Sequence, residues 1–241
     1  RSEGEIETFR TARRAAGLRS VFAHACYLIN PCAPDERVFR RSIERLTSEL
    51  HMADRLGMEG YVLHPGSNKR STPEERIPRA AEAIAAAAHR SGYRGRLLLE
   101  TTSSLHGPGG EFSRLRTLVD QIADAAPDLQ TGLCLDSCHL FAWGYDFPAG
   151  AGAERMAGDL KQAGLADNVG LIHLNDGRDE CGSRRDRHEH LGKGTIGQAG
   201  LRSFITHPAL QKSPVVLETP REDQSDNRRN LNFARDLCGN E

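Results

Sequence analysis

Short apolar runs alternate with amphipathic segments along most of this chain. The amphipathic segments, in which apolar residues recur at helical spacing, cover residues 3–16, 35–57, 74–91, 113–126, 153–163, 197–206 and 225–237. The six apolar runs between them read VFAH, YVLH, LLLE, GLCLD, LIHLND and VVLE. Strands that alternate with helices favour a parallel sheet. We therefore predict an α/β fold of the TIM (β/α)8 type, with only about six of the eight βα units present in this chain.

Residues that can bind a metal stand at or near the ends of all six runs. In a barrel of parallel strands the C-terminal strand ends meet on one face, so we expect these side chains to converge. Asp186 and His188 add two ligands at i and i+2, which share a side if that segment is extended. With His139, which follows one strand end by a tight turn, the candidate ligands are His24, His64, Glu100, Asp136, His139, His173, Asp186, His188 and Glu218.

Nine ligands are too many for one ion. At three or four protein ligands per ion, they suit two or three metals, especially if one carboxylate bridges two of them. Taken singly, each histidine is more commonly an ordinary polar residue, and Glu100 or Glu218 is compatible with a helix cap or an ion pair. Six strands that end this way favour metal binding, because so many charges are costly to desolvate without cations. Cys134 and Cys138 we interpret as packing residues.

Composition and charge add few constraints. The 241 residues are 38% apolar and 27% charged, and we expect residues 1–241 to form a single domain. A net charge of −1 neither favours nor excludes nucleic acid as a partner. The chain has no apolar run of 18 residues and no visible signal peptide, so we expect no membrane partner and a cytoplasmic location. Six cysteines without zinc-ribbon spacing are typical of reduced thiols.

Six longer stretches surround the candidate ligands, between residues 23 and 220. They read AHACYLIN, LHPGS, LLLETT, GLCLDSCHLFAWGYDF, HLNDGRDECGSRRDRHEHLGKGTIG and VLETP. In this combination they resemble the endonuclease IV family, the zinc-dependent type 2 AP endonucleases of DNA base excision repair. The resemblance implies a TIM-barrel deoxyribonuclease that is incomplete at its N-terminus, where about two βα units would precede Arg1. If the source is bacterial, the enzyme is expected at the nucleoid.

The resemblance also implies three zinc ions, with manganese as an alternative at one site. One zinc would bind His24, His64 and Glu100. A second would bind Glu100, Asp136, His173 and Glu218, with Glu100 as the bridge. The third would bind His139, Asp186 and His188. Together they would hydrolyse the phosphodiester 5′ to an abasic site and leave a 3′-hydroxyl and a 5′-deoxyribose phosphate. Glu100 is the candidate catalytic base.

The partner that the resemblance implies is double-stranded DNA containing abasic sites, bound by a monomer. Tyr27 and Leu28 match a pair that enters the duplex where the abasic nucleotide is turned out. From the residues alone, the same loop is equally compatible with anchoring in the core. Four cations near the predicted third zinc are candidate phosphate contacts, with a solvated charge run as the alternative. They are Arg184, Arg185, Arg187 and Lys193.

Two other functions fit part of the pattern. A xylose-isomerase-like sugar isomerase or epimerase binds one divalent metal through Glu, Asp, His and Glu at strand ends, which Glu100, Asp136, His173 and Glu218 would satisfy. Such an enzyme has no use for the other five candidate ligands. A DNA-binding homologue without catalysis is the third interpretation, and the intact set of ligands argues against it.

Overall fold

The computed structural model describes residues 2–18 and 20–239. These residues form two compact units, each assembled from more than one stretch of chain. The first unit runs up to Leu99 and includes His106–Pro108 and Thr117–Gly132. The second unit consists of Glu100–Leu105, Gly109–Arg116 and the residues from Leu133 onward.

The first unit is built from parallel strands and the helices that connect them. Its strands are β1 (Phe22–His24), β2 (Gly60–Leu63) and β3 (Arg96–Glu100), the last of which ends at the first residue of the second unit. Phe22 lies opposite Gly60 in the first pair of strands, and Gly60 lies opposite Arg96 in the second. The helices are α1 (Glu3–Ala15), α2 (Glu36–Leu56), α3 (Pro73–Ser91) and most of α4 (Phe112–Ala125).

Local signals fix the bounds of these helices. The carboxylate of Asp35 accepts a hydrogen bond from the nitrogen of Val38 at 2.9 Å and begins α2. Gly57 ends the same helix in the left-handed conformation, with φ at 68°. The residues of α2 that face inward, such as Leu46 and Leu50, are fully buried, as their helical spacing predicts.

The second unit repeats the alternation of strand and helix. Its parallel strands are β4 (Gln130–Asp136), which enters this unit at Leu133, β5 (Val169–His173) and β8 (Val215–Val216). A short antiparallel pair, β6 (Asp176–Gly177) and β7 (His188–Glu189), follows β5. The register places Asp136 beside His173, and His173 beside Val216. The helices are α5 (Ser137–Trp143), α6 (Gly152–Gln162), α7 (Gly197–Ile205) and α8 (Asp226–Cys238).

The predicted alternation is confirmed. All six predicted parallel strands are present in the described part of the chain, and each of the seven predicted helices begins and ends within two residues of its expected bounds. Helix α5 and the β6–β7 pair were not predicted, because seven residues and two residues are too short to show a period. None of the described helices is both long enough and apolar enough to cross a membrane.

Candidate metal centre

Asp136 is the residue at which a strand turns directly into a helix. It is the last residue of β4 and the N-cap of α5, and its Oδ1 accepts the backbone N–H of His139 at 2.8 Å. Its own N–H donates to the hydroxyl of Thr101 at 3.0 Å, and its Oδ2 accepts the side-chain amide of Asn175 at 2.6 Å. The carboxylate is fully buried. Asp136 is therefore held in one orientation before any ligand arrives.

His139 lies in the first turn of α5, and its ring is buried. Nδ1 lies 2.8 Å from the backbone oxygen of Thr101, which only accepts hydrogen bonds. Nδ1 therefore carries a proton, and Nε2 is the nitrogen that faces the candidate site. Nε2 lies 2.9 Å from Oδ2 of Asp186.

His188 on β7 is oriented in the same way. Its Nδ1 lies 3.1 Å from the backbone oxygen of Glu218. Its Nε2 lies 3.2 Å from Oδ1 of Asp186 and 3.7 Å from Oδ2 of Asp136. In spite of these short distances, Nε2 is buried and makes no well-aligned hydrogen bond.

A buried nitrogen without a well-aligned hydrogen bond is costly in a protein interior. Ligand atoms of His139, Asp186 and His188 all lie within 4.8 Å of one another. Two imidazole nitrogens and one carboxylate, with the opposite ring nitrogens bonded to backbone carbonyls, are the donor set that a zinc ion takes. The residues present thus fit the divalent cation that the sequence predicts there.

A second group of charges surrounds His173 at the end of β5. Its Nδ1 lies 3.2 Å from Oε1 of Glu100 and 3.1 Å from Oε2 of Glu218. Oδ2 of Asp136 is 4.0 Å from the same nitrogen. Glu100 and Asp136 are fully buried, and Glu218 is partly exposed. Three carboxylates around one imidazole repel each other unless positive charge lies among them.

Proton binding supplies that charge in the absence of metal. Burial by itself lowers the pKa of His173, but hydrogen bonds to Cys134, Glu100 and Glu218 outweigh it and raise the pKa well above 6.5. Burial likewise opposes the rise in the pKa of His188, which the adjacent carboxylates of Asp186 and Asp136 bring to about 9. A divalent ion would replace these protons as the counter-charge.

Burial and neighbouring charges also have opposite effects on the pKa values of His139 and Asp186. Burial lowers the pKa of His139, but the charge of Asp136 and the hydrogen bonds to Asp186 and Glu100 raise it well above 6.5. Burial raises the pKa of Asp186, but the adjacent rings of His139 and His188 lower it far below 3.8. These directions describe histidines that retain protons beside an Asp186 carboxylate that stays ionised, as a carboxylate ligand must be.

The remaining two predicted ligands, His24 and His64, lie in the first unit. Their rings approach edge to face, with centroids 5.4 Å apart and planes at 74°. Nδ1 of His24 lies 3.0 Å from the backbone oxygen of Ala25. Residues that are 40 positions apart in sequence are thus brought together, because β1 and β2 are parallel neighbours that end at the same edge.

Sequence analysis missed Asn175, which orients two candidate ligands at once. Its side chain donates to Asp136, and its Oδ1 accepts the backbone N–H of Glu218 at 2.8 Å. Its backbone N–H and carbonyl both bond to the hydroxyl of Ser137, at 2.8 Å and 2.7 Å. The only available signal was its place two residues after His173, where a turn was the simpler interpretation.

Cys134 and Cys138 are buried beside the candidate ligands. Burial raises the pKa of each thiol to about 12. Sγ of Cys138 lies 3.8 Å from the backbone oxygen of Arg187, and the sulfur is also close to ligand atoms of Asp136 and His188. Protonated, buried thiols agree with the packing role that we predicted, and all six cysteines of the chain are free.

The residues predicted to contact DNA differ in their solvent exposure and in their partners within the chain. Tyr27 and Leu28 are 91% and 67% exposed, so neither anchors its loop in the core of the first unit. Arg185 and Lys193 are also exposed, although Arg185 lies 3.5 Å from Asp179.

Two of the predicted phosphate contacts have partners within the chain. The guanidinium of Arg184 lies over the ring of Trp143, 3.7 Å from its centroid. Arg184 also has a positive φ of 60°. Nε of Arg187 donates to Asp179 at 2.6 Å. Both side chains would have to share or exchange these partners to bind a phosphate.

The sequence and the fold of this chain match a known family of proteins. A family model described as a xylose isomerase-like TIM barrel matches residues 1–237. The chain is 37% identical over 241 residues to a protein of Solibacter usitatus named "Probable endonuclease 4", and the match covers 98% of this chain and 81% of that protein. A protein of Methanoculleus marisnigri with the same name is 33% identical over 240 residues, 98% of this chain and 83% of its own length.

Solved structures agree with the sequence comparison. Endonuclease IV from Thermus thermophilus is 34% identical with a TM-score of 0.83, and the match covers 100% of this chain and 84% of that one. A D-tagatose 3-epimerase-like protein reaches a TM-score of 0.70 at 18% identity, over 99% of this chain and 84% of that one, which is likeness of fold alone. These matches confirm the predicted TIM-barrel fold class.

Proposed function

The chain belongs to the endonuclease IV family, and from this premise we propose that it hydrolyses DNA on the 5′ side of abasic sites. As a deoxyribonuclease of this family, it would leave a 3′-hydroxyl and a 5′-deoxyribose phosphate and would act in base excision repair. The observation that carries the proposal is the approach of Nε2 of His139 and of His188 to the carboxylate of Asp186, at 2.9 Å and 3.2 Å. One-metal TIM-barrel isomerases have no use for this cluster.

We propose that zinc is the metal and that three ions bind, with manganese as an alternative at one site. His139, Asp186 and His188 would hold one ion, and Glu100, Asp136, His173 and Glu218 another. The pair His24 and His64 supplies ligands for the remaining ion. When bound, such ions polarise the phosphate and lower the pKa of the attacking water.

The protein's own groups position this chemistry and handle its protons. Glu100 is fully buried, and its Oε1 lies 3.2 Å from Nδ1 of His173 and 3.3 Å from Nδ1 of His139. We propose that Glu100 accepts a proton from the attacking water. The water oxygen then bonds to phosphorus, the bond from phosphorus to the 3′-oxygen breaks, and that oxygen takes up a proton to become the 3′-hydroxyl.

We further propose that the chain binds double-stranded DNA as a monomer. Tyr27 and Leu28 would fill the gap in the base stack opposite the displaced abasic nucleotide, since both are exposed. Arg184, Arg185, Arg187 and Lys193 would contact backbone phosphates. An enzyme with this substrate would work in the cytoplasm, at the nucleoid in a bacterium.

Cleavage of a defined duplex tests the proposal. The zinc-loaded protein should cut a duplex that carries one tetrahydrofuran abasic mimic, immediately 5′ to the mimic, and the new end should support extension by a DNA polymerase. The same duplex without the mimic should remain intact. Glu100→Gln should abolish cutting and keep DNA binding.

Three other outcomes contradict the proposal in different ways. Binding without cleavage by the metal-loaded parent would identify a DNA-binding homologue without catalysis. Turnover of a ketose with about one ion per chain would identify a sugar isomerase or epimerase. Cleavage on the 3′ side of the mimic would show that the protein is a nuclease but would refute the proposed products.

A further inference from the structure

Tyr27 and Leu28 form the tip of a closed turn in the first unit. The N–H of Ile29 donates to the backbone oxygen of Cys26 at 2.9 Å, so Tyr27 and Leu28 occupy the two central positions. Polar residues and glycine usually fill such positions. Here they hold two large apolar side chains that are 91% and 67% exposed, while Ile29 next to them is buried.

The first anchor of this turn is a carboxylate on helix α2. Glu49 accepts the backbone N–H of Cys26 at 3.1 Å and the hydroxyl of Tyr61 at 2.6 Å. Tyr61 belongs to β2 and is almost fully buried. The start of the turn is therefore tied to the interior of the first unit.

The second anchor is Asn30, which uses both halves of its side-chain amide. Nδ2 donates to the backbone oxygen of Ser67 at 2.9 Å, and Oδ1 accepts the N–H of Ser67 at 3.0 Å and that of Cys32 at 3.1 Å. The backbone N–H of Asn30 donates to the hydroxyl of Ser42 at 3.0 Å.

Close packing accompanies this anchor. Gly66 has a φ of 89°, and a Cβ added there would lie 2.6 Å from Oδ1 of Asn30 and 2.8 Å from the nitrogen of Cys32. Only glycine allows the segment before Ser67 to approach Asn30 so closely. An aspartate at position 30 would keep the acceptor but present a second oxygen to the carbonyl of Ser67.

We propose that Asn30 is a positioning residue for recognition of abasic DNA, with Glu49 as the second support of the same turn. Asn30 holds Tyr27 and Leu28 in the conformation that enters the duplex. The entropy cost of ordering the turn is therefore met on folding and does not reduce the affinity for DNA. This inference rests on the proposed function, because it needs a duplex with a gap that the turn can fill.

The test is the isosteric variant Asn30→Asp. Binding to a duplex with one tetrahydrofuran mimic, measured by fluorescence anisotropy, should weaken about tenfold, and the KM for cleavage should rise while kcat stays the same. Binding to the intact duplex should not change. Asn227→Asp, the same change at an exposed position of α8, is the matched control and should behave like the parent.

A double-mutant cycle separates positioning from a general structural role. If Asn30 acts through the tip of the turn, Asn30→Asp should change binding less than about twofold when Tyr27 is already alanine. An equal loss of binding in the Tyr27 and Tyr27→Ala backgrounds would overturn the inference. So would parental affinity in Asn30→Asp.

Thermal unfolding of each variant tests whether Asn30→Asp is folded. If it is not, Ser42→Ala replaces it, because this change removes only the acceptor for the N–H of Asn30 and the hydroxyl's bond to Val38. The same cycle with Tyr27→Ala then decides the question. A parent protein that neither binds nor cleaves the abasic duplex would refute the proposed function itself, whereas a parent that does both, with an additive cycle, would refute only the role of Asn30.

Discussion

At the scale of single residues, the tautomers of two histidines make them candidate ligands, because each places Nε2 toward the candidate metal site. His139 and His188 each commit Nδ1 to a backbone carbonyl, 2.8 Å and 3.1 Å away, and both Nε2 atoms then face Asp186. The carbonyls belong to Thr101 and Glu218, which are remote in sequence from the rings they orient. The residue type makes histidine a possible ligand, but the backbone oxygens determine which ring nitrogen is available to a metal.

Replacing Asp186 should remove one metal without unfolding the protein. We expect Asp186→Ala to lose about one ion per chain and more than ~100-fold in the rate of abasic-site cleavage, because its carboxylate lies between the two Nε2 atoms. Metal content by mass spectrometry and single-turnover cleavage are the measurements. Asp128→Ala, at an exposed position, is the control. Parental zinc content and activity in Asp186→Ala would exclude the proposed third site.

At the scale of elements, one buried carboxylate shapes the loop that carries Lys193. Oδ1 of Asp176 accepts the N–H groups of Gly177, Ile196 and Gly197 at 2.9, 3.0 and 3.3 Å. Oδ2 accepts those of Gly192 and Gly194 at 2.9 and 3.1 Å. Burial raises the pKa of Asp176, and the backbone bonds oppose that rise. The backbone of residues 192–197 is therefore held by several amides that donate to one side chain.

Replacing this acceptor should loosen the loop before it affects the rest of the second unit. Asp176→Asn puts an amide N–H₂ against backbone N–H donors, and we expect it to lower the free energy of unfolding by roughly 1–3 kcal/mol. Urea unfolding measures that loss, and hydrogen exchange should show faster exchange at residues 192–197. Asp167→Asn makes the same change at an exposed position and should match the parent. Unchanged exchange in Asp176→Asn would show that the loop is held by other contacts.

At the scale of the whole chain, metal and folding should be linked. The second unit holds Glu100, Asp136, Asp186 and Glu218 beside three histidines, and metal binding offsets their repulsion only in the folded state. A ligand at 1,000 times its Kd stabilises a protein by about 4 kcal/mol.

Removal of metal should therefore lower the Tm of the whole chain. At about 2–4 °C per kcal/mol for a chain of this size, we expect chelation to lower the Tm by about 10 °C, and added zinc to restore it. Calorimetry on metal-free and zinc-loaded protein measures the difference, and the Asp186→Ala variant should show a smaller one. An identical Tm with and without zinc would contradict metal binding by the folded chain.

The sequence by itself determined the order of strands and helices and the types of the candidate ligands. Hydrophobic period is a local property, so the helices at 35–57 and 74–91 were found to within two residues. The position of a ligand-type residue at the end of each apolar run is equally local. The combination of motifs between residues 23 and 220 resembles a known family, and that resemblance supplied the expected function.

Only the tertiary structure decided which atoms meet. Asn175 bonds to Asp136 and Glu218, and Asn30 bonds to Ser67, across 37 to 43 positions that no local pattern connects. The tautomers of His139 and His188, the lack of a well-aligned hydrogen bond at Nε2 of His188 and the exposure of Tyr27 also depend on how distant segments pack. The physical reason is that a hydrogen bond depends on a few tenths of an ångström between distant segments, whereas hydrophobic period depends only on neighbours along the chain.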